Sequence, residues 1–421
     1  MSSTSRLATI SSRMAATDVP CIVQMQKMLR GKTDVLSLAQ GIVHWTPPET
    51  ALAAGRAAMN EPDTSLYGAD DGIPALREAL KLKLRDENGI TNSEVMVTAG
   101  ANQAYTNVVL ALMDANSPSL LYRPYYFNHL MAHQMTGSHA ELVLPDALPD
   151  LQPDLDVLRT ELEGRAARGD AQLAMVTLVN PGNPTGVMIP KATLEAASAL
   201  CAAHGVWLVI DNTYEHFSYN DGPPHECIEG PHVLNVFSFS KAFGMMGWRV
   251  GYVAFPPALL PELFKAQDTI AICPSIASQK VALGALSSGR QWVGERVAGL
   301  AEQKQIVIDA LAPLGDGAVQ GGSGAIYLFC RLPPAARDDM AVVRYLVEVH
   351  GVCLIPGSAC GMPGHVRVCY ANLPLDRTRE AATRLRAGLE ALAGGTVDLS
   401  PYAAPPPEAV GGTKRPRPAP A

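Results

Sequence analysis

The 421-residue chain has no apolar run near the ~20 residues needed to span a bilayer, no excess of positive charge and no internal repeat. The missing run argues against a membrane span, and the missing repeat against a solenoid. A net charge of −7 gives neither nucleic acid nor an anionic membrane an electrostatic reason to bind. The eight cysteines form no Cys-x-x-Cys pair, and none has a histidine at zinc-finger spacing. No histidine spacing suggests a metal site. A chain this long does not need disulfide staples, so reduced, mostly buried thiols in a cytoplasmic protein are expected. What is present, 48% hydrophobic and 17% charged residues, is the balance of a globular enzyme. The length suits a large domain joined to a smaller one.

The two ends read differently from the middle. Residues 1–17 contain Ser, Thr and Arg but no acid, a faint likeness to a transit peptide; an ordinary flexible start is the expectation. From about Ser400 the chain is dominated by Pro and Ala, with a few basic residues near its end. A disordered, dispensable tail is expected there.

Between the ends, short apolar runs alternate with longer helical patterns, which predicts an α/β fold with a mostly parallel sheet between helices. Strands are expected at 94–98, 119–122, 173–179, 206–210, 233–237 and 250–255. Helical periodicity is strongest at 73–85, 103–113, 191–204 and 279–286. The last third, with strands at 325–332 and 365–370 and a helix at 338–350, reads as a smaller α/β domain completed by the N-terminal segment.

Ligands of open α/β sheets bind outside the carboxyl ends of the strands. Five strands here end in polar or glycine-containing clusters: Thr98-Ala-Gly-Ala-Asn-Gln103, Arg123-Pro-Tyr-Tyr126, Asn180-Pro-Gly-Asn-Pro-Thr-Gly186, Asp211-Asn-Thr-Tyr214 and Ser238-Phe-Ser-Lys241. Gly247-Trp-Arg249 follows the last. Together they supply what pyridoxal 5′-phosphate (PLP) chemistry requires. Lys241 can bind the cofactor aldehyde. Asp211, ending an apolar strand, can keep the pyridine nitrogen protonated. A carboxylate ~4 Å away is worth about 4 kcal/mol at an effective dielectric of 20, or roughly three pKa units. Tyr214 or Asn183 can hydrogen-bond the phenolic oxygen, and Tyr126 can stack on the ring. Gly100, Ala101, Asn102, Ser238 and Arg249 offer backbone amides, a hydroxyl and a cation to the phosphate.

Each residue also has a plainer reading. Asp211 can cap a helix, Gly100-Ala101-Asn102 can be a generic strand-to-helix turn, and 180–186 alone predicts only a turn. Tyr125 competes with Tyr126, and Arg367, mid-strand in His365-Val-Arg-Val-Cys-Tyr370, can be an ion-pair residue or a ligand anchor.

From about Asp18 to Leu392 the chain resembles the class I aminotransferases of PLP fold type I. The strings that carry the resemblance are Asn180-Pro-Gly-Asn-Pro-Thr-Gly186 and Ser238-Phe-Ser-Lys241-Ala-Phe-Gly-Met-Met-Gly-Trp-Arg249. A finer likeness, to plant-type aromatic aminotransferases that use methionine as amino donor, is carried by Ser37-Leu-Ala-Gln-Gly-Ile-Val-His-Trp45, Met96-Val-Thr-Ala-Gly-Ala-Asn-Gln-Ala104 and Pro124-Tyr-Tyr-Phe-Asn128. The resemblance implies that Lys241 is the Schiff-base lysine and the base that moves the substrate proton. It implies that Ser238 and Arg249 hold phosphate, that Tyr126 is the stacking residue and that Arg367 clamps the substrate α-carboxylate. Tyr67, in Ser65-Leu-Tyr-Gly-Ala-Asp-Asp-Gly72, would reach the phosphate of a neighbouring subunit, making the enzyme a homodimer. It further implies a large domain at 46–290, a small domain at 291–395 and an N-terminal segment, 1–45, that completes the small domain, leaving 396–421 as tail.

One departure stands out: Gly41-Ile-Val-His44-Trp45 replaces a Gly-x-Pro-Asp-like turn that lines the substrate pocket in many relatives. Trp45 is expected to offer an aromatic face there. No arginine is available to pair with a distal carboxylate, so the expected substrates are methionine or aromatic amino acids and aromatic 2-oxo acids such as indole-3-pyruvate or phenylpyruvate. A PLP lyase of the aminocyclopropane-carboxylate synthase type would use the same cofactor residues. A PLP-sensing regulator would need a DNA-binding module, and only residues 1–17 precede the resemblance.

Overall fold

The computed structural model of the chain describes residues 9–138, 142–219 and 222–403. Among these the apolar runs form a seven-stranded sheet: β1 (Glu94–Thr98), β2 (Ser119–Leu121), β3 (Leu142–Val143), β4 (Met175–Val179), β5 (Trp207–Asp211), β6 (Val233–Ser238) and β7 (Gly251–Phe255). Their spatial order is β1-β7-β6-β5-β4-β2-β3. The runs are apolar without strict alternation because both faces are covered. Leu208 and Ile210 join the cluster built with Leu158, Leu194 and Ala197 of helices Leu155–Arg168 and Lys191–Ala203. Val209, between them, joins the opposite cluster, with Val108 of helix Ala101–Leu112 and Leu263 of helix Leu260–Ala271.

The sheet is mostly parallel, as expected, with one strand reversed. β2 to β6 run parallel, whereas β7 is antiparallel to both β6 and β1. Parallel neighbours need a crossover, usually a helix. The segment between Ser238 and Gly251 contains only a 3₁₀ turn, Met246–Trp248, so β7 can only return antiparallel.

The last third builds a four-stranded antiparallel sheet from β8 (Val319–Gly321), β9 (Tyr327–Arg331), β10 (Ile355–Pro356) and β11 (His365–Cys369), in the order β10-β11-β9-β8. The N-terminal segment joins this half. Leu36–Ser37 pairs in parallel with Val352–Cys353, the Leu38 N–H donates to the Cys353 carbonyl at 2.8 Å, and the Cys369 N–H donates to the Leu38 carbonyl at 2.8 Å. Helix Asp339–Val349 is capped by Asp338, whose carboxylate accepts the Ala341 N–H at 2.9 Å.

Both ends carry more structure than expected. Ser12–Ala16 is helical, and Asp18 exchanges two 3.0 Å hydrogen bonds with the Gln134 side chain. The expected tail begins too early: Ser400–Tyr402 forms a 3₁₀ turn against helix Asp339–Val349, where Arg344 donates to the Tyr402 carbonyl at 2.8 Å. Residues 1–8 and 404–421 lie outside the described residues. Among the described residues no helix is long and apolar enough to cross a membrane, and no His/Cys/Asp/Glu group could hold a metal ion.

Candidate active site

The sheet topology brings the five clusters together. β1, β2, β4, β5 and β6 all end at one edge. β7 alone runs the other way and begins there, with Gly251 in register with both Thr98 and Ser238. That reversal puts Arg249, two residues before Gly251, beside clusters that the parallel strands deliver at their carboxyl ends. Together with Gly41 and Arg367, the clusters surround a cavity of about 260 Å³. Ala101, Asn102, Tyr126, Asn183, Asp211, Tyr214, Ser238, Lys241, Arg249, Gly41 and Arg367 all line it.

Asp211 is buried at one end of the cavity. Its Oδ2 accepts from His129 Nε2 at 3.1 Å and its Oδ1 from the Thr213 N–H at 2.9 Å. Burial opposes ionisation, but these hydrogen bonds outweigh it and hold the carboxyl below its ordinary pKa. The ring of Tyr105 stacks on His129 at 4.0 Å and limits how the imidazole can turn.

At another wall the helix Ala101–Leu112 begins beside Arg249. Gly100 caps that helix at φ +87°, and a Cβ there would collide with the Arg249 guanidinium, so only glycine fits. Arg249 donates to the Met246 carbonyl at 2.9 Å and to Ser240 Oγ at 3.5 Å. A helix N-terminus, two serines and an arginine could together hold a phosphate. Lys241 sits between the two walls in a turn anchored by buried Phe239, Ala242 and Phe243. Burial, with the charges of Arg249 and Arg367, pushes its ammonium down to about 8.

Arg367 reaches the cavity from β11 and is almost fully buried. It donates to Asn183 Oδ1 at 2.8 Å and to the Ala39 carbonyl at 2.7 Å, which leaves its buried Nε without a partner. A buried guanidinium in a cavity wall could pair with a carboxylate. Its plane lies over the Tyr327 ring at 4.3 Å, and the Tyr327 hydroxyl is hydrogen-bonded to that of Tyr214. Tyr126 is also at the wall, where Asn128 donates to its hydroxyl at 2.8 Å.

Three expected residues are not on the wall. Gly100 acts one step behind it, through Arg249. Tyr67 is exposed on the outside of the chain. Trp45 is the correction: its indole N–H donates to the Ala242 carbonyl at 3.2 Å and its ring stacks on Phe217, so its face is spent on packing. A partly buried indole needs a partner for its N–H, and the Lys241 turn supplies one. Sequence reasoning missed His129, Tyr327, Ser240 and Met246. Ser240 was legible as the second serine before Lys241; His129 and Tyr327 carried no signal beyond ordinary helix and strand positions.

A lysine of lowered pKa, an ionised aspartate and two arginines gathered at the carboxyl edge of a mostly parallel sheet fit a PLP-dependent transaminase of fold type I. The family model "Aminotransferase class I and II" matches residues 33–385. The aromatic aminotransferase ISS1 of Arabidopsis thaliana is 48% identical over 386 residues, covering 91% of this chain and 97% of that protein. The aspartate/prephenate aminotransferase of Thermus thermophilus is 31% identical over 82% of this chain and 89% of its own length. The solved aspartate aminotransferase of Thermus thermophilus with maleate superposes with a TM-score of 0.81 at 28% identity, covering 91% of this chain and all of that one. The chain belongs to the class I and II aminotransferase family, and its cofactor is PLP.

Proposed function

We propose that the cavity holds PLP and that the enzyme moves an amino group between methionine or an aromatic amino acid and an aromatic 2-oxo acid such as indole-3-pyruvate or phenylpyruvate. One observation carries this reading: the buried Arg367 guanidinium lines the same cavity as Lys241 and the ionised Asp211. When bound, PLP supplies an aldehyde that takes up the amino group and a ring that withdraws electrons from the substrate Cα. Asp211, fixed by His129, keeps a proton on the ring nitrogen. Ser238, Arg249 and the amides at Gly100, Ala101 and Asn102 hold the phosphate. Tyr214 and Asn183 donate to the phenolic oxygen; Asn183 offers its amide N–H₂ because its oxygen is engaged by Arg367. Tyr126 stacks on the ring. Arg367 clamps the substrate carboxylate, and Lys241, as a free amine, takes the Cα proton and returns it at the cofactor carbon.

The substrate preference rests on the rest of the wall. Ile22, Ile42, Phe127 and Met246 line the cavity, and its cations, Lys241, Arg249 and Arg367, each have a task already. A second carboxylate would be buried without a partner on this chain, at a cost of several kcal/mol. The likeness to an aromatic aminotransferase supports the same side. Two measurements test the proposal. Borohydride reduction and peptide mapping are expected to find the pyridoxyl group on Lys241; a label on another lysine overturns the site. In a kcat/KM panel of donors, methionine, tryptophan and phenylalanine are expected to exceed aspartate; the reverse order overturns the substrate reading and leaves PLP in place.

The working unit in this proposal is a homodimer, with Tyr67 reaching the partner's phosphate site. A large PLP-binding domain at 46–290 and a small domain at 291–395 joined by residues 1–45 agree with the two principal sheets and the Leu36–Ser37 pairing. A cytoplasmic location fits eight free cysteines, seven of them buried.

A further inference from the structure

Tyr327 stands where the two halves of the cavity meet. It lies on β9, directly paired with Cys369, two residues along from Arg367 on β11. Its ring is buried under the Arg367 guanidinium at 4.3 Å, and its hydroxyl is hydrogen-bonded to the Tyr214 hydroxyl. The hydroxyl also defines the wall at Gly41, where any Cβ would overlap it. One side chain therefore touches the carboxylate receptor, the phenol that faces the cofactor oxygen and the N-terminal turn.

Two buried phenols in contact have two protons between them, and both are held in the neutral form because burial raises their pKa. One proton lies in the bond between them. When Tyr327 donates it, the Tyr214 proton is free to point into the cavity, and Tyr214 becomes a stronger donor because its own oxygen is engaged. We propose that Tyr327 is a positioning residue that aims the Tyr214 proton into the cavity through its hydroxyl and orients Arg367 through its ring. Lodging both tasks in one side chain ties the carboxylate clamp to the cofactor's phenolic oxygen. The inference rests on the proposed PLP site.

The experiment separates the hydroxyl from the ring by comparing the Tyr327→Phe and Tyr327→Leu holoenzymes, with Tyr214→Phe as control. A weaker donor stabilises the anionic phenolic oxygen less, so the absorbance of the bound cofactor in Tyr327→Phe is expected to titrate about half to one pH unit higher than in the wild type. Its KM for methionine is expected to change less than about twofold, because the ring still faces Arg367. In Tyr327→Leu the KM values for the amino donor and the 2-oxo acid are both expected to rise about tenfold. An unchanged titration in Tyr327→Phe, where Tyr214→Phe does shift, overturns the role of the hydroxyl and leaves the PLP site intact. An unchanged titration in both variants overturns the Tyr214 assignment as well. A KM increase in Tyr327→Phe equal to that in Tyr327→Leu overturns the role of the ring. If Tyr327→Leu does not fold, the Tyr327→Phe titration and KM still decide the hydroxyl.

Discussion

At the scale of single residues, charge placement governs the site. Asp211→Asn keeps the volume and the Thr213 contact but removes the charge that stabilises a protonated ring nitrogen, worth about 4 kcal/mol at ~4 Å. The variant is expected to retain its cofactor by absorbance yet lose roughly a thousandfold in kcat; near-normal turnover would rule out the electron-withdrawing role. Lys241 gives a pH prediction of definite sign. Burial penalises its charged form and lowers its pKa to about 8, so at neutral pH the amine, though mostly charged, is neutral far more often than an ordinary lysine. At pH 7 about a tenth is neutral, roughly 200-fold more than a lysine of pKa about 10.4 would offer. The rate at which cofactor-free enzyme couples to pyridoxal is expected to climb about tenfold per pH unit and to level off near pH 8. A plateau only near pH 10 would show that the cavity does not depress this amine. Lys241, Asp211 and Arg249 were legible as cavity residues because each ends or closely flanks a strand in a distinctive string. Tyr327 was not: its partner Tyr214 lies 113 residues away, and nothing local distinguishes it from a core tyrosine. Trp45 failed for the opposite reason. It sits in a distinctive string, but the fold uses its indole to brace the Lys241 turn.

At the scale of elements, the long runs were readable and the short ones were not. The strand expected at 94–98 is β1 with the same limits, and the helix expected at 191–204 differs by one residue. Leu36–Ser37, β3 and β10 are two residues long, too short for any alternation to register. The direction of β7 was hidden as well, since apolarity reports burial and says nothing of polarity. At the C-terminal boundary, composition misled: a Pro- and Ala-rich stretch still carries Tyr402. Its ring meets Tyr345 edge-on at 5.5 Å, and its carbonyl takes the Arg344 hydrogen bond. An aromatic pair contributes about 0.5–1.5 kcal/mol beyond its buried area. Tyr402→Ala is therefore expected to lower Tm by about 1–2 °C and leave kcat unchanged. An unchanged Tm would restore the reading of this turn as a dispensable tail.

At the scale of the whole molecule, the proposed homodimer draws on the surface around Tyr67. Tyr67 is 81% exposed and its neighbour Leu66 67% exposed. The Gly68 N–H donates to Cys273 Sγ at 3.3 Å, which ties this segment to the one carrying exposed Ile270 and Ile272. Exposed apolar side chains on linked segments are a candidate for the face of the proposed homodimer. Two-fold symmetry would present the same patch on both subunits, and each Tyr67 would then serve the other's cavity. Complementation tests this directly. Lys241→Ala removes the amine from its own site, and Tyr67→Phe removes a hydroxyl from the partner's site. The two variants are mixed, dissociated and reassembled, then assayed at a cofactor concentration too low to load Tyr67→Phe alone. Half of the dimers would pair one chain of each kind, and each such dimer would contain one fully wild-type site, so activity is expected to return to about a quarter of the wild-type level. If Tyr67 served its own chain, every site would carry one lesion. Activity would then stay at the sum of the two parents, and the shared site would have to be abandoned.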